Sequence, residues 1–124
     1  MKAVKVTPPF LWFQNLNQII IEIKYAHRHD VAGCATLFNE TIEITQREMY
    51  VSASCSEVQD TNLFYELRFP FWAAVNATSY RFEKRPVGKF YFVIDKLEKP
   101  ARWRALHKEG TVKPVTGKIW LEKH

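Results

Sequence analysis

Apolar and polar residues alternate strictly in several stretches of this chain, and that alternation constrains the fold more than any other feature. The clearest stretch is 19–25, where every odd position is apolar, namely Ile19, Ile21, Ile23 and Tyr25. A period of two places these side chains on one face of a β-strand, whereas an amphipathic helix needs a period near 3.6. No long stripe of helical spacing occurs, so the sequence predicts a nearly all-β protein.

The middle of the chain predicts one hairpin and a further strand after it. A weaker strand covers 33–38, and a turn at Asn39 and Glu40 leads into a second strand with Ile42 and Ile44 facing inward. The strand that follows has its inward residues at odd positions, namely Met49, Val51, Ala53 and Cys55. This change of parity requires a bulge or turn at 46–48.

Later strands carry most of the aromatic residues. One has inward residues Leu63, Tyr65, Leu67, Phe69 and Phe71, and it is expected at a sheet edge or with a bulge because Pro70 cannot donate to a ladder. A turn at 76–79 then precedes a short strand with Tyr80 and Phe82, and a turn at 86–88 leads to the inward residues Phe90, Phe92 and Ile94. These are about seven strands, typical of an antiparallel β-sandwich.

The last part of the chain holds the one candidate for helix. Pro100 suits the first position of a helical turn, with Trp103 and Leu106 three residues apart and Gly110 as its stop. Residues 119–121 predict a final short strand or a tail that lies on the sheet.

Length and composition predict a single domain over 1–124, since 124 residues with 47% apolar side chains build one core. The longest apolar runs fall well short of the ~20 residues that span a bilayer. The start of the sequence lacks the apolar core of a secretory signal, so we expect a cytoplasmic protein, with the nucleus as an additional candidate location.

Few residues suggest chemistry, and we expect neither an enzyme nor a cofactor. The two cysteines, Cys34 and Cys55, lack C-x-x-C spacing and are expected to be reduced and buried. His27 and His29 could ligate a metal, but a fourth ligand is not indicated. Asn39 and Asn76 each begin an N-x-T sequence, which we interpret as a chance match in a chain without a signal.

Charge is distributed unevenly along the chain. Residues 1–80 contain six Lys/Arg and eight Asp/Glu, whereas residues 81–124 contain twelve and five, so the net charges are −2 and +7. A basic C-terminal third suits an acidic partner, and the plain alternative is a solvated basic face. Single-stranded nucleic acid is a competing partner, with Phe13, Trp72 or Tyr91 available to stack on bases. It is disfavoured because most aromatic residues fall on inward positions.

Three groups of residues, taken in order, resemble the CS domain family, whose best-known members are the small co-chaperones of heat-shock protein 90. The opening is formed by Pro8, Trp12 and Gln14 ahead of the strand at 19–25. The middle group is the strand at 64–69 followed by Val75 and Ser79. The ending consists of the strand at 90–94 followed by Lys96, Trp103, Leu106, Lys108 and Glu109. The likeness covers about residues 8–121, and the region 26–55 is longer than in the co-chaperones.

The resemblance implies an antiparallel sandwich of the small-heat-shock-protein type, over about 8–98, with a C-terminal docking segment over about 99–124. It implies a non-enzymatic co-chaperone that binds the ATP state of heat-shock protein 90 through a sheet face and that segment, and slows its ATPase cycle. The matching positions are Lys96, Trp103, Leu106 and Lys108, and Arg104 adds charge beside them. In the alternative interpretation, Trp103 and Leu106 only pin the segment to the sandwich. An adaptor that does not bind this chaperone is the second functional alternative.

Overall fold

A computed structural model describes residues 2–26, 28–56, 61–107 and 117–119 of the chain. It contains nine strands, which we number in chain order: β1 (Lys2–Val6), β2 (Phe10–Gln14), β3 (Gln18–Lys24), β4 (Leu37–Ile44), β5 (Glu48–Cys55), β6 (Thr61–Pro70), β7 (Val75–Arg85), β8 (Lys89–Lys96) and β9 (Gly117–Ile119). The described ranges hold no helix, and therefore no helix able to cross a membrane. The predicted all-β class is confirmed.

The strands form two sheets. One sheet has the order β1-β6-β5-β4, and the other has the order β7-β8-β3-β2-β9. Neighbouring strands are antiparallel except for β1 with β6 and β2 with β9, which are parallel. The inward side chains of both sheets belong to one apolar cluster, so the arrangement is a β-sandwich.

The core consists of the alternating residues that the sequence predicted. Ile19, Ile21 and Ile23 of β3 are fully buried, and so are Phe92 and Ile94 of β8. Aromatic rings link the two sheets, for example Phe10 of β2 and Phe69 of β6, whose stacked rings lie 5.7 Å apart. Burial of this apolar surface is the main force that holds the sheets together.

Two predicted turns are bulges inside longer strands. At Asn39 and Glu40 the chain does not reverse: β4 continues, its register with β5 shifts between Phe38 and Thr41, and Asn39 takes a φ of 54°. Residues 76–79 likewise lie within β7, where the register with β8 shifts between Val75 and Tyr80. The predicted turns at 46–48 and 86–88 are confirmed.

β6 is an inner strand at one end and an edge at the other. β1 pairs only with Thr61–Tyr65, so Pro70 has a partner strand on the β5 side alone. The missing N–H of Pro70 therefore faces the side without a strand, as its chemistry requires. β1 itself was not predicted, because its parallel pairing depends on residues about 60 positions away.

The cysteines are oxidised, which corrects the expectation of two reduced thiols. Cys34 and Cys55 form a disulfide with a Cα–Cα distance of 6.3 Å, and both residues are buried. The bond joins the chain before β4 to the end of β5. Close packing fixes this corner, because a Cβ on Gly88 would lie 2.5 Å from the backbone nitrogen of Cys34.

The helical turn expected from Pro100 is absent. Residues 101–107 have no helical hydrogen bonds, and their backbone groups bond to other parts of the sandwich instead. Hydrogen bonds to distant residues are present in place of the local helical hydrogen bonds that Pro100 and Trp103 predicted. Gly110, the predicted stop, lies outside the described residues.

Candidate protein-docking surface

After β8 the chain crosses one end of the sandwich, and we call residues 97–107 the closing segment. Ala101 donates its N–H to the carbonyl of Leu16, in the β2–β3 turn, over 2.9 Å. Leu106 accepts the N–H of Trp72, beyond β6, over 2.8 Å. His107 forms a bridge with Phe71 on the same side. Leu16 lies in a turn between two strands of the larger sheet, and Phe71 directly follows a strand of the smaller sheet. The segment therefore contacts both layers and closes this end of the sandwich.

Gln14 fixes the middle of the closing segment. Its Nε2 donates to the carbonyl of Trp103 over 2.7 Å, and its Oε1 accepts the N–H of Trp103 over 2.9 Å. A side-chain amide has one donor end and one acceptor end, so it can satisfy both backbone groups of one residue. Gln14 was noted in the sequence only as part of the opening that resembles CS domains.

Lys96 lies beneath the segment and is only 1% exposed. Its ammonium donates to Oε1 of Gln14 over 2.9 Å, to the carbonyl of Asn15 over 2.8 Å and to the carbonyl of Ala101. Burial lowers the pKa of Lys96, and the nearby positive charge of Arg102 lowers it further. Three oxygens arranged in this way satisfy all three donors of the ammonium, which makes it an internal link between turn and segment.

Trp103 and Leu106 are buried in the same core cluster, and the Trp103 ring lies 6.0 Å from that of Phe71. Their positions agree with the alternative in which they pin the segment to the sandwich. Five residues were predicted to bind a partner, and Lys108 lies outside the described residues; of the other four, Arg104 alone is exposed. The partner-binding role of the five stays a prediction.

The outer side of the closing segment is basic and partly apolar. Lys99, Arg102 and Arg104 are exposed, and none of them forms an ion pair with a described residue. Leu97 and Leu16 are 48% and 51% exposed, on the two chain stretches that are hydrogen-bonded to each other. We call these five residues the basic patch. Sequence reasoning predicted its charge but missed Leu16, which belongs to a distant turn.

Two acidic residues lie near the basic patch. Glu98 is exposed on the segment itself. Asp95 accepts hydrogen bonds from Gln18 over 3.0 Å and from Ser79 over 3.1 Å, which lower its pKa together with the charges of Lys99 and Arg81. Asp95 therefore feels the charge of Lys99 but forms no salt bridge with it, and three cations against two carboxylates leave a net positive surface.

The outer face of the larger sheet carries a shallow groove of about 610 Å³ along β7 and β8. Tyr91 lies in it, with the guanidinium of Arg85 3.6 Å from the centre of its ring. Arg85 also pairs with Glu22 over 3.5 Å. This arginine covers one face of the partly buried ring and is paired with an acidic residue, so a nucleic-acid base could not stack on that face.

Comparison with known proteins adds no identification. No family model matches the chain, and no curated protein matches it. Among the described residues no group of three His, Cys, Asp or Glu side chains is placed to hold a metal ion. The geometry of the closing segment is therefore the main guide to function.

Proposed function

We propose that this chain is a CS-type β-sandwich, related in fold to small heat-shock proteins, that acts without catalysis as a co-chaperone or chaperone adaptor. Its partner is the ATP state of a heat-shock protein 90 chaperone. The observation that supports this most is the basic patch. Three cations that form no ion pair with a described residue, beside two exposed leucines, complement an acidic surface that has apolar contact points.

The buried residues have a positioning role in this proposal. Gln14 and Lys96 hold the closing segment in one conformation, and Trp103 anchors it in the core. A rigid segment loses little conformational entropy when a partner binds, so more of the interaction free energy appears as affinity. Arg104 then contacts the partner directly, and Trp103 and Leu106 act through the shape of the segment.

Binding to the purified chaperone, held with a non-hydrolysable ATP analogue, tests the proposal. Arg104→Glu is expected to raise the dissociation constant about fivefold or more, equivalent to ~1 kcal/mol. The matched control is Lys89→Glu, which makes the same charge change where β8 begins, at the opposite end from Lys96. Equal affinities for both variants would contradict the assigned surface.

Measuring the ATPase rate of the chaperone in the presence of this protein distinguishes a co-chaperone from an adaptor. A co-chaperone slows the rate in proportion to occupancy, and Arg104→Glu shifts the inhibition curve to higher concentration. The association rate is expected to fall as salt rises, because exposed charges are screened within about 10 Å at 0.1 M ionic strength. If wild type does not bind the chaperone at low salt, the chaperone-independent adaptor replaces this proposal.

A labelled single-stranded oligonucleotide tests the remaining alternative. We expect no salt-dependent shift at micromolar protein, because the three candidate stacking rings, Phe13, Trp72 and Tyr91, are each partly buried and Arg85 covers one face of Tyr91. A shift that Arg104→Glu weakens would assign the basic patch to nucleic acid instead.

A further inference from the structure

A disulfide ties together two parts of the sandwich that are distant in sequence. Cys34 and Cys55 are 21 residues apart, and both sulfurs are buried beside the core. Structural disulfides form and persist in oxidising compartments and are rare in the cytosol, where thiols are kept reduced. The bond therefore changes how other features of the sequence are interpreted, in particular the two N-x-T sequences.

Asn39 begins the first of these, Asn39-Glu40-Thr41. It lies in the bulge of β4, where the register with β5 shifts, and β4 is an edge strand. Asn39 is exposed, and its side chain makes no hydrogen bond to a described residue. A large substituent on this amide would meet solvent rather than the core.

Asn76 begins the second, Asn76-Ala77-Thr78, in the irregular part of edge strand β7. Its Oδ1 accepts two hydrogen bonds from Thr78, over 3.1 Å from the backbone N–H and 2.9 Å from the hydroxyl. This Asx-turn leaves the amide nitrogen without a partner among the described residues. The threonine is thus positioned to polarise the amide whose nitrogen must react.

From these observations we propose that Asn39 and Asn76 carry N-linked oligosaccharides and that the domain works in an oxidising compartment of the secretory route. This location replaces the cytoplasmic one expected from the sequence, and it requires that any heat-shock protein 90 partner lie in the same compartment. The donor is a lipid-linked oligosaccharide diphosphate, used by an oligosaccharyltransferase. Nδ2 of the asparagine forms a bond to the anomeric carbon, the bond from that carbon to the diphosphate oxygen breaks, and the amide loses one proton. The lipid diphosphate leaves with the bonding electrons, and no group is oxidised or reduced.

Glycans at Asn39 and Asn76 would also shield two exposed sheet edges. β4 and β7 are both edge strands, and they carry three exposed aromatic residues, namely Phe38, Tyr80 and Phe82. Exposed apolar edges invite pairing with another chain. A hydrated glycan on each edge strand would block that approach, without any contact to the core.

The decisive experiment uses the protein isolated from its own cells, with free thiols alkylated during lysis in denaturant, so that the buried cysteines are accessible. Enzymatic removal of Asn-linked glycans in heavy-oxygen water converts each occupied asparagine to a labelled aspartate, which peptide mass spectrometry locates. We expect label at 39 and 76, and alkylation of Cys34 and Cys55 only after reduction. An unlabelled position overturns the assignment of that asparagine, and alkylation before reduction overturns the oxidising compartment.

Sequon variants separate glycosylation from folding. In a secreted form made by glycosylating cells, Thr41→Ala and Thr78→Ala are each expected to remove one glycan, whereas Thr41→Ser and Thr78→Ser keep it. The double Ala variant is expected to self-associate more strongly than the double Ser variant in sedimentation. Full glycosylation of the Ala variants would overturn the proposed sites, and equal sedimentation would overturn the protective role of the glycans.

Discussion

The side chain of Gln14 completes the backbone hydrogen bonding of Trp103, 89 residues further along the chain. The side-chain amide thus provides the two backbone hydrogen bonds that a neighbouring β-strand would otherwise provide to Trp103. It connects β2 to the closing segment, and its Oε1 also accepts a hydrogen bond from Lys96. The end of the sandwich is held by this junction of three residues.

Gln14→Ala is expected to lower the free energy of unfolding by about 1–3 kcal/mol, because buried backbone groups of Trp103 lose their partner. Trp103 should also become more accessible, with a red shift of tryptophan emission and faster quenching by acrylamide. Gln46→Ala, at an exposed turn position, is the control and should change neither value. Loss of stability without any change in quenching would show that Gln14 does not hold the segment.

Lys96→Met keeps most of the side-chain volume but removes the ammonium. The oxygens of Gln14, Asn15 and Ala101 would lose a charged donor, so we expect a loss of about 1–3 kcal/mol in urea denaturation. Lys99→Met makes the same change on the surface and should stay within about 0.5 kcal/mol of wild type. If both variants had equal stability, the internal role assigned to Lys96 would be wrong.

Because the hydroxyl of Tyr25 is buried, we expect the free energy of unfolding to fall at alkaline pH. Its hydroxyl is buried without a hydrogen-bond partner among the described residues, and this burial, followed by the charge of Glu40, raises its pKa far above the usual 10.0. The unfolded chain releases the phenolic proton above pH 10 while the folded chain keeps it, so the free energy of unfolding falls as pH rises beyond 10.

Tyr25→Phe removes both the hydroxyl and this proton. We expect the variant to gain about 1–2 kcal/mol at neutral pH, since an unsatisfied buried hydroxyl disappears. The advantage over wild type should grow above pH 10, as measured by urea denaturation at several pH values. Tyr80→Phe, at an exposed position, is the control. An advantage that shrinks above pH 10 would contradict the predicted direction.

The disulfide is expected to stabilise the domain by roughly 3 kcal/mol, the value for closing a loop of this order of length. The double variant Cys34→Ala, Cys55→Ala should lose about that amount and become insensitive to dithiothreitol in thermal denaturation. Wild type should approach the double variant when reduced. A reductant-insensitive wild type would show that the bond does not form in solution.

Most of the strands could be predicted from the sequence, because alternation survives wherever a strand has one buried face. β3, β5, β6 and β8 all follow the predicted inward positions. The sequence predicts turns at 39–40 and 76–79, where the structure has bulges, since Asn and Ser favour irregular backbone whether the chain reverses or continues. Only the partner strand decides between these outcomes, and a single sequence does not contain that pairing.

The site was predicted less well than the fold. Charge along the chain predicted a basic region after β8, and Lys99, Arg102 and Arg104 are exposed there. Lys96 was expected at a docking surface or in solvent, yet it is buried under the segment. A lysine can be recognised as internal only when its oxygen partners are known, and two of these, on Gln14 and Asn15, lie more than 80 residues away.

Periodicity and charge are local properties of a chain, so the all-β class, the inward faces of the main strands and the basic character of the C-terminal third follow from the order of residues alone. Tertiary structure decided the parallel pairing of β1, the Cys34–Cys55 bond and the closure of the sandwich by Gln14, Lys96 and Trp103. These depend on which distant groups meet when the apolar faces are buried. Their hydrogen bonds and covalent link form only between residues that the packed sheets have brought together.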